Sequence, residues 1–407
     1  MTNKPEKAVN ILKEDGVWKF TAQTFSYFRN MFGDRLSQAY IQNNVLTREE
    51  LLSRCSKENR VWHLDPEPLI TYDIPDNRRP PELEQYLSSY QPDPPFICEI
   101  PSCTLAGPSA LGFTEQNNLI LETGGGQVDL LINRRTDFFG EKSVRDIFSE
   151  RPSDTPHPNL SSESHVFPLV PFYDQYYYHW NLLYLPKLRL LQHYENQTGN
   201  RPTILIENEP PSFVPETLSL LGIDSSRLVE WSGEKQNVNN LIVTNYRMHS
   251  TGMNVFEQSY DAYIWLSNEL KSAVNHKQSS GRKLYISRQQ ADRGRKVSNY
   301  AAVEEAIESY GFEPVVMESL SIQEQIKLVS QADVIMGPHG AGLVNMIYAE
   351  DTTVIELFPE NVLKPHFSML ADLMGFEYAS LVSKSVGGNN LYVNTDELCE
   401  LLDDLDI

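Results

Sequence analysis

The chain has 407 residues, 40% of them hydrophobic, with 34 Lys and Arg against 55 Asp and Glu for a formal charge of −21. That length predicts roughly two or three domains rather than one core, and that charge argues against nucleic acid or an anionic membrane surface as the main partner. An anionic ligand would then need a few local cationic contacts, which makes clustered arginines informative.

No apolar run approaches the roughly 20 residues of a membrane span. The opening stretch, "MTNKPEKAVNILKEDG", lacks an apolar signal core, so a cytoplasmic protein is expected. Cys55, Cys98, Cys103 and Cys399 form no C-x-x-C pair and have no histidines at metal spacing, and are expected as reduced thiols.

Residues 1–95 read as a mixed extension. Thr47 and Glu50 make a capping box for a short helix over 46–54. The proline-rich stretch "PDNRRPPELEQYLSSYQPDPPF" then reads as a connecting loop. From Phe96 the pattern alternates at period two (Phe96, Cys98, Ile100; Leu111, Phe113; Leu119, Leu121), which predicts a small antiparallel β-meander. The meander ends in Gly124, Gly125 and Gly126, a flexible turn rather than a phosphate cradle, because no lysine or strand-to-helix step accompanies it.

Past the polar stretch "SERPSDTPHPNLSSESH", strands alternate with helices. Strands are predicted over 166–170, 203–206, 228–230 and 241–244, with helices over 176–194 and 215–221. The alternation repeats with strands at 283–287, 313–317, 333–336, 354–357 and 379–382, and helices at 256–273, 300–310, 322–330, 342–348 and 395–402. Such alternation implies parallel sheets covered by helices. The expected architecture is α/β: a first Rossmann-like unit with the meander over 96–255 and a second over 256–407, facing one another across a cleft. Ligands in such sheets bind beyond the carboxyl ends of the strands.

One loop stands at such an end. The strand closing at Met336 runs into Gly337-Pro338-His339-Gly340-Ala341-Gly342 and then into a helix. A helix N-terminus offers unpaired N–H groups and a positive dipole end to a phosphate, and His339 can donate to a phosphate or sugar oxygen. The G-x-x-G-x-G spacing is neither the dinucleotide fingerprint nor a Walker loop, and a tight turn whose histidine merely packs is the other reading. Arg288 follows the 283–287 strand, where it would meet a pyrophosphate. For Arg293 and Arg295 a solvated basic loop is the commoner reading. In "YDQYYYHWNLLYLPKL" (173–188), His179 and Trp180 suit either sugar recognition or core packing. His179 is a candidate general base for an acceptor hydroxyl, or a structural histidine.

The stretches "YYHWNLLYLPKL", "LYISRQQADRGRKVSN" and "IQEQIKLVSQADVIMGPHGAGLVNMIYAEDTTVIELFP", in this order, resemble glycosyltransferase family 61. The likeness spans about 96–383 and is densest over 283–359. It implies a GT-B fold, with a nucleotide-sugar donor, typically a UDP-sugar, held by the C-terminal unit. The acceptor, a glycan or glycolipid hydroxyl, approaches from the N-terminal unit, and transfer inverts the anomeric carbon. By the same likeness Ser287, Arg288 and Arg293 face the phosphates, and Gly337 and His339 to Gly342 (through Gly340 and Ala341) form the phosphate loop. Asn345 and Glu356 orient that loop or touch the nucleoside, and His179, Arg288 and His339 are the catalytic candidates. The chain departs from the family at Asn181, at Asn299-Tyr300 and at Asp351-Thr352, which leaves acceptor and sugar specificity open.

No cofactor is expected beyond the donor, and no metal, since the only D-x-D is Asp404-Leu405-Asp406 in the C-terminal tail. The competing readings are a non-catalytic nucleotide-sugar-binding protein and a nicotinamide-dependent sugar-modifying enzyme. The latter lacks the G-x-G-x-x-G unit it needs.

Overall fold

The computed structural model describes residues 39, 41–133, 160, 165–172, 177–245, 259–274, 281–291 and 294–407. Arg293, and most of 17–40 and of the 149–165 stretch, lie outside the described residues.

The described strands build two sheets. The first contains β1 (Val45–Leu46), β2 (Val61–His63), β3 (Phe96–Ala106), β4 (Leu111–Phe113), β5 (Leu119–Ile120), β6 (His165–Pro168), β7 (Thr203–Glu207), β8 (Leu228–Trp231) and β9 (Gln236–Thr244). Its order is β1-β5-β4-β3-β9-β6-β7-β8, with β2 on β3. The β6–β9, β6–β7 and β7–β8 pairs are parallel, whereas β3 runs antiparallel to β9. The alternating meander is therefore the antiparallel wing of the sheet that carries the parallel strands. Strands from before Phe96 join the same sheet, and the Thr47–Glu50 capping box opens the helix Arg48–Lys57 beside it.

The second sheet contains β10 (Arg282–Ile286), β11 (Phe312–Val315), β12 (Ala332–Pro338), β13 (Thr353–Pro359), β14 (Glu377–Val386) and β15 (Asn390–Tyr392), in the order β11-β10-β12-β13-β14-β15. It is parallel except for the β14–β15 hairpin. After β11 the chain crosses back to pair β12 with the other edge of β10, so a switch in winding direction falls between β10 and β12.

Each sheet buries an outer face of its own: Cys98, Leu205 and Leu241 on the first, Tyr285, Met336 and Ile355 on the second. Their inner faces share one core, which runs from Phe167 and Ile204 through Trp180 and Tyr263 to Ile286 and Ile335. The helix Tyr260–Ala273, capped by the Ser259 hydroxyl, lies in that shared layer and touches helices of both units. The two sheets thus meet in a seam of continuous packing.

Polar groups lock the seam. The helix predicted over 176–194 is broken in two: a turn Tyr177–His179 leads into a π-turn Trp180–Tyr184, and a separate helix Lys187–Thr198 follows Pro186. The Leu185 N–H donates to the Trp180 carbonyl at 3.0 Å, the five-residue reach of a π-turn. Facing it, residues 341–348 form a 3₁₀ helix rather than the α-helix expected. The Tyr177 hydroxyl donates to Asn345 Oδ1 at 2.7 Å, and the Tyr348 hydroxyl donates to Asn181 Oδ1 at 2.8 Å. Asn345 passes the contact on to Gln325 Oε1 at 2.9 Å. Asn181 and Asn345 are completely buried, so each needs these partners.

Tyr177→Phe removes one hydroxyl and leaves the Asn345 oxygen short of a donor. It should lower the unfolding free energy by about 1–3 kcal/mol, seen as a lower urea midpoint at unchanged m.

Candidate functional site

The winding switch falls between the carboxyl ends of β10 and β12, the place where α/β sheets have the crevice that takes their ligands. Three successive strand ends deliver basic side chains there. Arg288 follows β10, His339 follows β12, and Lys364 and His366 follow β13.

The glycines of the 337–342 loop have a specific steric cause. A Cβ on Gly337 would lie 2.9 Å from the Ile286 carbonyl oxygen, and one on Gly342 would lie 2.8 Å from Ile286 Cγ2. At Gly340 a Cβ would fall 2.1 Å from an Arg288 Nη atom. Gly340 is extended, at φ 173, so it is the approach of Arg288 rather than a special backbone conformation that demands glycine. The end of β10 therefore lies directly on this loop, with the Arg288 side chain across Gly340.

His339 is buried, and its N–H donates to the Leu357 carbonyl at 2.9 Å, extending the β12–β13 ladder by one bond. Its Nδ1 pairs with the Glu356 carboxyl, whose other oxygen accepts from the Tyr378 hydroxyl at 2.7 Å. Burial drives Glu356 well above the usual carboxylate range and His339 well below the usual imidazole range. Both groups are held neutral, sharing one proton. The cations Arg295, Lys364 and Arg288 add to the depression of His339. The ring stacks on Phe358 at 5.3 Å and lies 6.2 Å from the His366 ring.

The first unit reaches the same place. The Tyr178 ring is 5.5 Å from His366 and 5.7 Å from Phe367. His366 is depressed by burial and then by His339, Lys364, His179 and Arg295. His179 stands beside Tyr178 on the same side of the seam, the two rings 5.3 Å apart. Arg288 is pushed down to about 10 by burial and by Arg295.

Arg288, His339, Gly337, Gly340, Ala341, Gly342 and, across the seam, His179 all come together here. Ser287 extends β10, its N–H donating to the Val315 carbonyl at 2.8 Å, and its hydroxyl turns towards Tyr300 and the Gln289 N–H. Asn345 and Glu356 stand behind the loop, engaged with Tyr177, Gln325, His339 and Tyr378, and support it from within the core. Trp180 is core, donating to the Thr217 hydroxyl at 2.9 Å.

Sequence reasoning passed over Lys364 and His366, and it read Arg295 as part of a solvated basic loop. Arg295 is the cation felt by His339, His366, Glu356 and Arg288 alike. The signal for Lys364 and His366 was the one that found Arg288: basic residues just past a parallel strand. Asp404 ends the helix Thr395–Asp404. Among the described residues no three His, Cys, Asp or Glu side chains gather as a metal set.

The first sheet has its own winding switch, between β6 and β9. A cavity of about 20 Å³, room for about one water, sits at their carboxyl ends and is lined in part by Glu122, Tyr184, Lys187 and Thr244. Burial pushes Lys187 down to about 7, and its ammonium group lies 5.4 Å from the Tyr184 ring centre.

These placements separate the glycines. Gly337→Ala meets backbone and should cost about 1–3 kcal/mol of stability. Gly340→Ala meets a side chain that can swing away, so it should leave the melting temperature nearly unchanged while weakening anion binding. The buried pair sets a pH signature. A depressed His339 stabilises above its unfolded value of 6.5 and loses that as pH falls; a raised Glu356 stabilises below 4.5 and loses that as pH rises. Their sum is flat between 4.5 and 6.5 and falls on either side. In Glu356→Gln the alkaline fall contributed by this pair should disappear from denaturation curves taken across pH.

Residues 177–355 match the model of a family described as glycosyltransferase 61. Two curated relatives are similar over a short stretch. A β-1,2-xylosyltransferase of Arabidopsis thaliana is 35% identical over 63 residues, which cover 15% of this chain and 12% of that protein. The β-1,2-xylosyltransferase RCN11 of Oryza sativa subsp. japonica is 32% identical over 63 residues, with the same coverage. The matched stretch thus spans only about an eighth of either relative. No helix among the described residues is long and apolar enough to cross a membrane. The matched residues 177–355 hold His179, Arg288 and the Gly337–Gly342 loop, so the likeness to glycosyltransferase 61 falls on the site itself.

Proposed function

We propose that the chain transfers a sugar from a nucleotide-sugar donor, taken to be a UDP-sugar, to a hydroxyl of a glycan or glycolipid acceptor, with inversion. The observation that carries this reading is the convergence of Arg288, Arg295 and Lys364 on one crevice at a winding switch, in a chain of net charge −21. Local cations in an acidic protein suit a diphosphate. The family match supplies the reaction class.

In this reading the arrangement is GT-B, with 1–95 as an extension, 96–255 on the acceptor side and 256–407 on the donor side. A base takes the proton from the acceptor hydroxyl, and His179, presented from the acceptor side of the seam, is the candidate. The acceptor oxygen attacks the anomeric carbon as the bond to the nucleotide breaks on the opposite face. Arg288, Arg295 and Lys364, with the first N–H groups of the 341–348 turn, meet the negative charge that grows on the leaving diphosphate. The neutral His339–Glu356 pair fixes the loop without adding a competing charge. Transfer without a metal is part of the proposal. The cytoplasmic setting expected from the sequence gains no support from the plant relatives and is left out of it.

The test is thermal stabilisation by UDP, CMP, UDP-sugars and NAD, with and without EDTA, followed by transfer assays. A ligand at 100 times its dissociation constant adds about 2.7 kcal/mol. UDP or a UDP-sugar should shift the wild type equally with EDTA present. Arg288→Ala should lose the shift and slow transfer about 100-fold or more. A shift with NAD alone would overturn the proposal, and donor binding without transfer or slow hydrolysis would reduce it to a binding protein.

A further inference from the structure

The cations of the crevice stand on loops, and a loop must be held by something. The segment that follows Arg288 is held by the hairpin at the far end of the second sheet. The Lys296 N–H donates to Asn390 Oδ1 at 3.0 Å, and the Leu391 N–H donates to the Lys296 carbonyl at 3.0 Å. The Ser298 N–H donates to the Leu391 carbonyl at 2.8 Å. Next to these bonds Arg295 has φ +68, in the left-handed region that side-chain-bearing residues avoid unless their surroundings impose it.

The same hairpin tip holds a second loop. Asn361, in the segment that carries Lys364, donates through Nδ2 to the Gly388 carbonyl at 3.1 Å and to Asn389 Oδ1 at 3.2 Å. Ser385 Oγ donates to Asn361 Oδ1 at 2.7 Å. The tip itself turns through Gly387 and Gly388 at φ +52 and +89, which other residues adopt only under strain. One short hairpin thus grips both the arginine loop and the lysine loop. It lies wholly beyond residue 355, where the family match ends.

We propose that the β14–β15 tip is a positioning clamp, in which Asn390 acts through Arg295 and Asn361 acts through Lys364 to set the spacing of the cations that receive a diphosphate. This rests on the anion-binding reading above. Neither asparagine touches the ligand. Each fixes the backbone from which a cation reaches it. A hairpin that merely stabilised the fold would show its loss in melting temperature and not in anion affinity.

Double-substitution cycles decide the matter, with binding of inorganic pyrophosphate measured by calorimetry at low salt. Asn390→Ala should weaken pyrophosphate about tenfold, the worth of one well-made hydrogen bond. In the Arg295→Gln background the same change should weaken it by no more than about twofold, because coupled groups are non-additive. Asn361→Ala and Lys364→Gln should form a second cycle of the same kind, which decides alone if Asn390→Ala does not fold. Additive losses, or a lower melting temperature at unchanged affinity, would overturn the clamp and leave the anion site standing. A wild type that binds no pyrophosphate would overturn both, and that failure is visible before any substitution is made.

Discussion

A pair of crossed tyrosine–asparagine hydrogen bonds governs where everything else can be. Tyr177 and Asn181 come from one unit, Asn345 and Tyr348 from the other, and each tyrosine meets the opposite asparagine. Amides with no exposed surface tolerate little slippage, because a shift that breaks the bonds strands both. The seam thereby fixes the π-turn against the 3₁₀ helix. That contact in turn fixes His179 and Tyr178 against His366, and the Gly337–Gly342 loop against the end of β10.

Charge at the crevice is arranged in two layers. The outer layer is cationic: Arg288, Arg295 and Lys364. Beneath it sits a neutral layer of His339, Glu356 and Tyr378, where burial keeps the carboxyl protonated and the imidazole uncharged. An ionised Glu356 would oppose the cations above it, and an ionised His339 would repel them. Neutrality in the lower layer leaves the field of the upper one available to an anion. The acidic composition of the rest of the chain sharpens the contrast.

Much of this was legible in the sequence. The alternation from 203 onwards gave parallel sheets, the Thr47–Glu50 spacing gave a capped helix, and Arg288 could be placed at a strand's carboxyl end. What was hidden depended on contacts distant in sequence. The three loop glycines read as a phosphate cradle, yet their spacing answers to Ile286 and Arg288 on a neighbouring strand. Asn181 looked out of place in an apolar segment because Tyr348 is 167 residues away. Arg295 read as a solvated loop residue because a left-handed backbone leaves no mark in composition or period. The helix His366–Met374, which starts straight after Pro365, was not among the predicted elements.

The π-turn at Trp180–Tyr184 amounts to one surplus residue in an otherwise helical count. Deleting a residue within it would return the turn before Pro186 to the α-helical count, in a shorter chain. It would also rotate residues 177–179 by about 100° relative to the helix that follows. Tyr177 would leave Asn345, and His179 would swing away from His366. The shortest possible edit would thus blind the first unit to the crevice. In 180–184 the number of residues is thus as constrained as the identity of Asn181 itself.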